Sequence, residues 1–520
     1  MILFLFFCSG ATALIYEVVW SKYLSLMLGS TVQAQTVVLA VFMGGLALGN
    51  RLIGRRADLL ARPLSAYGML EIAIGLYAFF FSAIFGLADR VFIALGTRLF
   101  ENAAGMLLLK SGLSLGLLLL PTVLMGGTLP LLAAWLQRQS NDAGRWSARF
   151  YSTNSLGAVA GSFVAGFLLI RNLGLVSTLQ ITALLNLLIG GAAIALGRKN
   201  GGEAKAPSPD ATEVPSPSSP AAPAASNVIR WASLLVALTG AVSMGLEVLG
   251  SRSLTLIFGA SLQAFAVVLM AFILGIGAGS AVVASPRWQR WRSEGVIIGL
   301  LLAAAAIVGV LVVGIEQWVE YYRQIKVGLG ATRMGYRFYQ IITGGFSLIV
   351  IGVPAALIGA VLPLCLRWVS DADSGRGFGE RVGRLLTWNT LGAVVGVLFT
   401  GFFLMPQAGL RNAFNLLAVA LCVPAFLLAW SAKGRAAAVV TALLAGGLVV
   451  SCVAGGEGWR HVLSSGVFRT RETVVDRNVI PLRKQKVKIL FYEDAPDATV
   501  SVEQNGTNTD FIAVLQRNGI

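Results

Sequence analysis

The chain has 520 residues, of which 56% are hydrophobic and only 12% charged. A soluble chain carries about twice that share of charge, so these residues cannot cover a water-facing surface. That excludes an ordinary cytosolic enzyme, a disordered protein and a disulfide scaffold, and it leaves a polytopic membrane protein. Forty Lys+Arg against 24 Asp+Glu give a net charge of +16. The basic residues sit in short loops between apolar runs, the positive-inside pattern, so no nucleic-acid partner is expected. Cys8, Cys365, Cys422 and Cys452 are scattered through apolar stretches with only His461 as an imidazole, and no metal site follows.

A crossing helix needs about 20 mainly apolar residues. In chain order the runs are Ile2–Met27, Val32–Ile53, Leu64–Leu87, Ala104–Val123, Phe150–Ile170 and Leu175–Leu196, which place six spans in residues 1–197. Residues 198–227 are rich in proline, alanine and serine (APSPDATEVPSPSSPAAPAAS) and read as a solvated linker. Six more runs fill 228–432: Ile229–Ile257, Leu262–Ser285, Val296–Ile315, Phe338–Ile358, Asn389–Leu404 and Asn412–Trp430. Ala436–Gly455, within 433–456, is long enough for a thirteenth. The polar tail 457–520 alternates like strands over Lys486–Asp494, Ala498–Val502 and Phe511–Leu515, with Asn505-Gly506 as a turn signal.

The two halves are copies. Gly10–Asn50 lies on Gly240–Ser280 without a gap, and 16 of the 41 positions are identical, where apolar bias alone would give about four. Pro121–Leu131 matches Pro354–Leu364, and Asn154–Gly161 matches Asn389–Gly396. Arg51, Arg55, Arg56 and Arg62 after the second span correspond to Arg287, Arg290 and Arg292 after the eighth, so both loops should face the cytoplasm. Equal orientation requires an even number of spans in each half. Two parallel six-helix repeats joined by a cytoplasmic linker are the layout of major-facilitator carriers. The loop Gly49–Asp58, with Arg55, Arg56 and Asp58, resembles the glycine- and arginine-rich loop of that superfamily, although its spacing differs.

Ionisable residues inside spans are expensive and mark functional candidates. Glu17 and Glu247 are repeat equivalents, suited to binding a cationic substrate or carrying protons. The structural alternative pairs them with Lys22 and Arg252, five residues on. Glu71 and Lys110 have no counterpart in the other half; Lys110 could equally snorkel to the outer interface. The polar pairs Gln33/Gln263 and Asn154/Asn389 suit interhelical hydrogen bonds as well as ligand contact. The glycines of Gly157/Gly161 and Gly392/Gly396 are spaced for close helix crossing, and Pro121/Pro130 and Pro354/Pro363 suggest interrupted helix ends.

Ser9–Trp20 (SGATALIYEVVW), Gly54–Asp58, Pro121–Leu132, Asn154–Gly161 and Phe491–Val502 (FYEDAPDATVSV) together resemble bacterial fused major-facilitator/spermidine synthase membrane proteins. The resemblance implies an inner-membrane location, a bilayer environment and a polyamine or related cation as ligand. It also implies a following aminopropyltransferase domain of which 457–520 would be the opening β-meander. The glycine-rich segment and acidic residues of that catalysis are not in this sequence. Decarboxylated S-adenosylmethionine is therefore expected only if a complete synthase domain is supplied elsewhere, for instance by a separate chain. Three functions remain open: a polyamine-handling membrane module, a secondary carrier for an unrelated solute, and a non-catalytic anchor or scaffold.

Overall fold

The computed structural model describes residues 1–29, 32–57, 59–99, 101–139, 143–199, 223–283, 285, 287–329, 332–372, 378–431, 434–454, 456–469, 478–494, 499–505 and 511–516. The first repeat comprises α1 (Ile2–Leu28), α2 (Val32–Ala57), α3 (Pro63–Leu99), α4 (Ala103–Gln139), α5 (Ala143–Phe163) and α6 (Ile170–Lys199). The second comprises α7 (Pro223–Phe258), α8 (Leu262–Val283), α9 (Ser293–Val313), a short α10 (Ile315–Gly328), then α11 (Arg333–Ser347), α12 (Val353–Gly359) and α13 (Val361–Ala372) as one broken crossing. It closes with α14 (Phe378–Phe399) and α15 (Met405–Ser431), and α16 (Arg435–Ala454) follows.

Among the described residues, eleven helical stretches are long and apolar enough to cross a membrane. Two of them, Thr153–Arg198 and Gly383–Ser431, hold 46 and 49 residues. A straight 46-residue helix would be about 69 Å long, roughly twice a bilayer. Each folds back instead at one glycine, Gly174 (φ 75°) and Gly409 (φ 73°), a backbone region closed to most side chains. Eleven stretches with two such folds make thirteen candidate crossings. The two glycines are 235 residues apart, so the copied sequence carries a copied bend.

Packing repeats as well. In α5, a Cβ on Gly157 or Gly161 would strike the backbone carbonyls of Phe7 and Ala11 in α1. In α14, a Cβ on Gly392 or Gly396 would strike those of Ala237 and Ala241 in α7. Small residues let these helices touch backbone to backbone, where dispersion drives association in lipid. The same holds for α2 with α4 (Gly49 on Val123, Gly126 on Leu46) and for α8 with α12 (Gly279 on Ala356). The repeats then lock crosswise through π-helical segments at Val164–Leu169 and Thr400–Leu404. Gly166 packs on Ala266 of α8, and Gly401 on Thr36 of α2. The architecture is an all-helical membrane bundle of two equivalent six-crossing repeats with a small β-rich tail, as expected.

Several expectations are corrected. Pro121 and Pro130 do not interrupt a helix: α4 runs through both. Pro121 has no N–H for the carbonyl of Leu117, and the Tyr77 hydroxyl donates to that carbonyl instead, at 2.7 Å. In the second repeat the break falls at Ala360, between α12 and α13. The flanking helices enter the expected linker 198–227, α6 reaching Lys199 and α7 beginning at Pro223; residues 200–222 lie outside the described ones. Helix α10 was not expected, being too polar and short for a span.

The tail contains α17 (Gly458–Leu463), α18 (Val479–Lys486) and an antiparallel sheet of β1 (Val487–Asp494), β2 (Thr499–Asn505) and β3 (Phe511–Gln516) in the order β1-β2-β3. Val487 pairs with Asn505 and Asp494 with Thr499, with one irregularity between Ile489 and Phe491. The expected strands match within a residue or a few; the turn at Gly506 lies outside the described residues.

Candidate functional site

The interface between the repeats contains a cavity of about 140 Å³ lined chiefly by α1, α2, α7 and α8. Its polar wall follows from helical spacing. Glu17, Ser21 and Ser25 are four residues apart on α1, so they share one face; Glu247, Ser251 and Thr255 do the same on α7. The six residues are three repeat-related pairs. Val38, Leu39 and Phe42 from α2 and Leu262 and Phe265 from α8 supply the apolar wall.

Both carboxylates are nearly buried, Glu17 at 9% and Glu247 at 8% exposure. Among the described residues no protein group hydrogen-bonds or ion-pairs with either, and each opens on the cavity while within electrostatic reach of the other. Two anions in an apolar bundle would repel and be poorly solvated, so a cation or a proton placed between them would be stabilised there. Ser25 and Thr255 turn their hydroxyl protons back to their own helices, donating to the carbonyls of Lys22 (2.8 Å) and Ser251 (2.6 Å). Their oxygens remain acceptors facing the same space.

The suggested pairing of Glu247 with Arg252 does not occur. Arg252 is 2% exposed and donates to the Thr499 hydroxyl of β2 at 3.1 Å. Its repeat equivalent, Lys22, lines the cavity instead and makes no ion pair among the described residues. The duplicated cation has therefore taken a different task in each half.

The remaining candidates are elsewhere. Glu71 is 1% exposed inside the first repeat, where it accepts hydrogen bonds from Ser9 Oγ at 2.5 Å and Asn186 Nδ2 at 2.7 Å. It ties α1, α3 and α6 together and does not reach the cavity. Lys110 is half-buried two turns into α4, a position that fits snorkelling. Asn154 and Asn389 pack on Gly10 and Gly240 at the equivalent α1–α5 and α7–α14 crossings. Gln263 is half-buried at the start of α8 but does not line the cavity; the side chain of Gln33 lies outside the described residues. Arg55 and Arg56 are exposed at the end of α2, and Asp58 lies outside the described residues. Sequence reasoning missed Ser21, Ser25, Ser251 and Thr255; their four-residue spacing from the glutamates, repeated in both halves, was the available signal. No group of three or more potential metal ligands occurs among the described residues.

Fold and cavity define a multi-pass membrane protein built as a two-repeat helical bundle. No family model matches the chain. Polyamine aminopropyltransferase 2 of Streptomyces coelicolor is 29% identical over 194 residues, 37% of this chain and 33% of that protein. The polyamine aminopropyltransferase of Mycobacterium tuberculosis is 29% identical over 186 residues, 35% of this chain and 33% of that one. The chain thus spans about a third of the length of the curated relatives it matches. These matches agree with the resemblance carried by the motifs. Among solved structures, the nucleoside transporter NupG superposes with a TM-score of 0.47 at 13% identity, covering 82% of this chain and 96% of that one. A variant of the E. coli fucose:proton symporter FucP gives 0.41 at 16%, covering 82% and 98%. At these scores neither likeness specifies a solute.

Proposed function

We propose that the bundle is the membrane module of a polyamine-handling protein of a bacterial inner membrane. In this reading it binds and moves a polyamine or related cation through the inter-repeat cavity. The observation that carries the reading is the pair Glu17 and Glu247: pseudo-symmetric, nearly buried, without protein partners among the described residues, and open to one cavity. The serine and threonine oxygens beside them suit an ammonium, which offers donors only. The polyamine identity is supported by the named relatives and the tail motif. Aminopropyl transfer, with decarboxylated S-adenosylmethionine as donor, enters this reading only where a complete synthase domain is supplied.

Lys22 in the same wall favours a second reading, a carrier for a different solute that bears a carboxylate as well as an ammonium. Binding of radiolabelled spermidine and putrescine to the purified protein separates the two. Saturable binding that falls at least tenfold in both Glu17→Gln and Glu247→Gln supports the first. Binding of a zwitterionic amino acid, but not a diamine, with dependence on Lys22 supports the second. The anchor or scaffold function predicts neither.

A further inference from the structure

The tail is fastened to one end of the bundle at six points. Arg252, a turn and a half from the end of α7, holds Thr499 of β2. The backbone N–H of Leu410, just after the Gly409 fold, donates to Asp494 Oδ2 at 3.1 Å. On α10, Lys326 donates to the carbonyls of Val467 (2.9 Å) and Phe468 (2.8 Å). Glu320 of the same helix accepts from the Ile480 N–H at 3.2 Å, and Glu316 pairs with Lys484 at 3.3 Å. Finally, the ring of Phe468 covers Gly259, the residue after α7.

Every bundle residue in that set lies at the end of the bundle remote from the basic loops. Successive crossings alternate direction, so the end of α7, the turn at Gly409 and α10 all lie opposite Arg55, Arg56, Arg287 and Arg435. Helix α16 makes the connection. Its 20 residues span about 30 Å, a bilayer core. Near its far end, Ser451 accepts hydrogen bonds from Arg411 and Asn415, both at 3.3 Å, at the start of α15. Helix α16 therefore runs antiparallel to α15 over the full depth and delivers the tail to the face opposite its own basic start.

We infer that α16 is a thirteenth crossing and that the tail is an extracytoplasmic domain seated at the rim of the inter-repeat cavity. Basic loops mark the cytoplasmic face, so the docked face is the outer one. The cavity lining ends at Gly29, Ala260, Ser261 and Leu262, the outer turns of α1–α2 and α7–α8. Val467–Arg469 lies beside that turn through Phe468 on Gly259. Solute exchanging with the cavity on the outer side thus passes the tail. The assignment rests on contacts and helix direction alone and stands whatever solute the cavity takes.

The wild-type protein tests it. In right-side-out vesicles, a membrane-impermeant sulfo-succinimidyl ester should acylate Lys486 and Lys488 and leave Lys199 and Lys205 untouched, with the reverse in inverted vesicles. Tail lysines labelled only in inverted vesicles would overturn the outer placement. For the rim, an Ala260→Cys/Phe468→Cys protein should cross-link internally with a short bis-maleimide, and neither single variant should. A double variant that reacts with a monofunctional maleimide at both sites yet gives no cross-link would overturn the rim placement.

Discussion

Replacing Glu71 by leucine tests whether this carboxylate is structural rather than part of the solute path. The substitution keeps the volume roughly constant and removes the acceptor shared by Ser9 Oγ and Asn186 Nδ2, which sit on residues 8% and 1% exposed. A buried donor stripped of its partner costs about 1–3 kcal/mol, or ~2–6 for two. Hydrogen bonds between membrane helices average only about 0.6 kcal/mol, because the separated helices also find partners. The lower figures therefore govern, and Glu71→Leu should lose about 1–3 kcal/mol. Unfolding midpoints in mixed micelles titrated with dodecyl sulfate measure the loss. Glu71→Gln keeps an acceptor oxygen and should lose less, whereas Glu17→Leu strands no donor and should stay within about 0.5 kcal/mol of wild type. Equal stability of Glu71→Leu and Glu17→Leu would refute the assignment of the two glutamates to different tasks.

Three further outcomes follow from the packing and the docked tail. Gly161→Leu and Gly396→Leu force backbone-contact helices apart and should each cost about 1–3 kcal/mol, read as a lower melting temperature of the monodisperse protein in detergent. Gly86→Leu, which meets open space, should not. Burial opposes ionisation of Glu320, but hydrogen bonds from Arg323, Gln324 and the Ile480 N–H outweigh it and hold the carboxyl below its ordinary 4.5. Its contribution is thus complete above pH 4.5 and lost as pH falls through the lowered value, so limited proteolysis of the tail should quicken in acid. Burial pushes the Lys326 ammonium down from 10.5 to about 8. Between those values Lys326 binds more protons when the tail is undocked, so docking should strengthen as pH rises from about 8 to 10.5, and this trend should vanish in Lys326→Met.

The membrane helices were legible because each is an apolar run of bilayer length, and the repeat supplied their orientation. Even the conformational copies, Gly174 with Gly409, were latent in the alignment, since Asn154–Leu175 matches Asn389–Leu410. What the chain hid depended on contacts between distant segments. Helix α10 (IEQWVEYYRQIKVG) has no apolar run because Glu320 and Arg323 bury their charges against each other, 2.8 Å apart, beneath the tail. Arg252 read as a partner for Glu247, five residues away in sequence, but its partner is Thr499, 247 residues on. The continuity of α4 through Pro121 turned on one phenol, that of Tyr77, in another helix. At the site, the glutamate pair was visible as duplicated charge, whereas the cavity that unites them exists only once the two repeats pack face to face.

In the proposed function, Glu17 and Glu247 jointly bind a cationic solute on its way across the bilayer. Uptake of radiolabelled spermidine into proteoliposomes containing the purified protein tests it most directly. Saturable uptake is expected of the wild type, with a loss of at least tenfold in Glu17→Gln and in Glu247→Gln and wild-type uptake in Lys110→Gln, which lies outside the cavity. Undiminished uptake by the Glu17→Gln/Glu247→Gln double variant would contradict it.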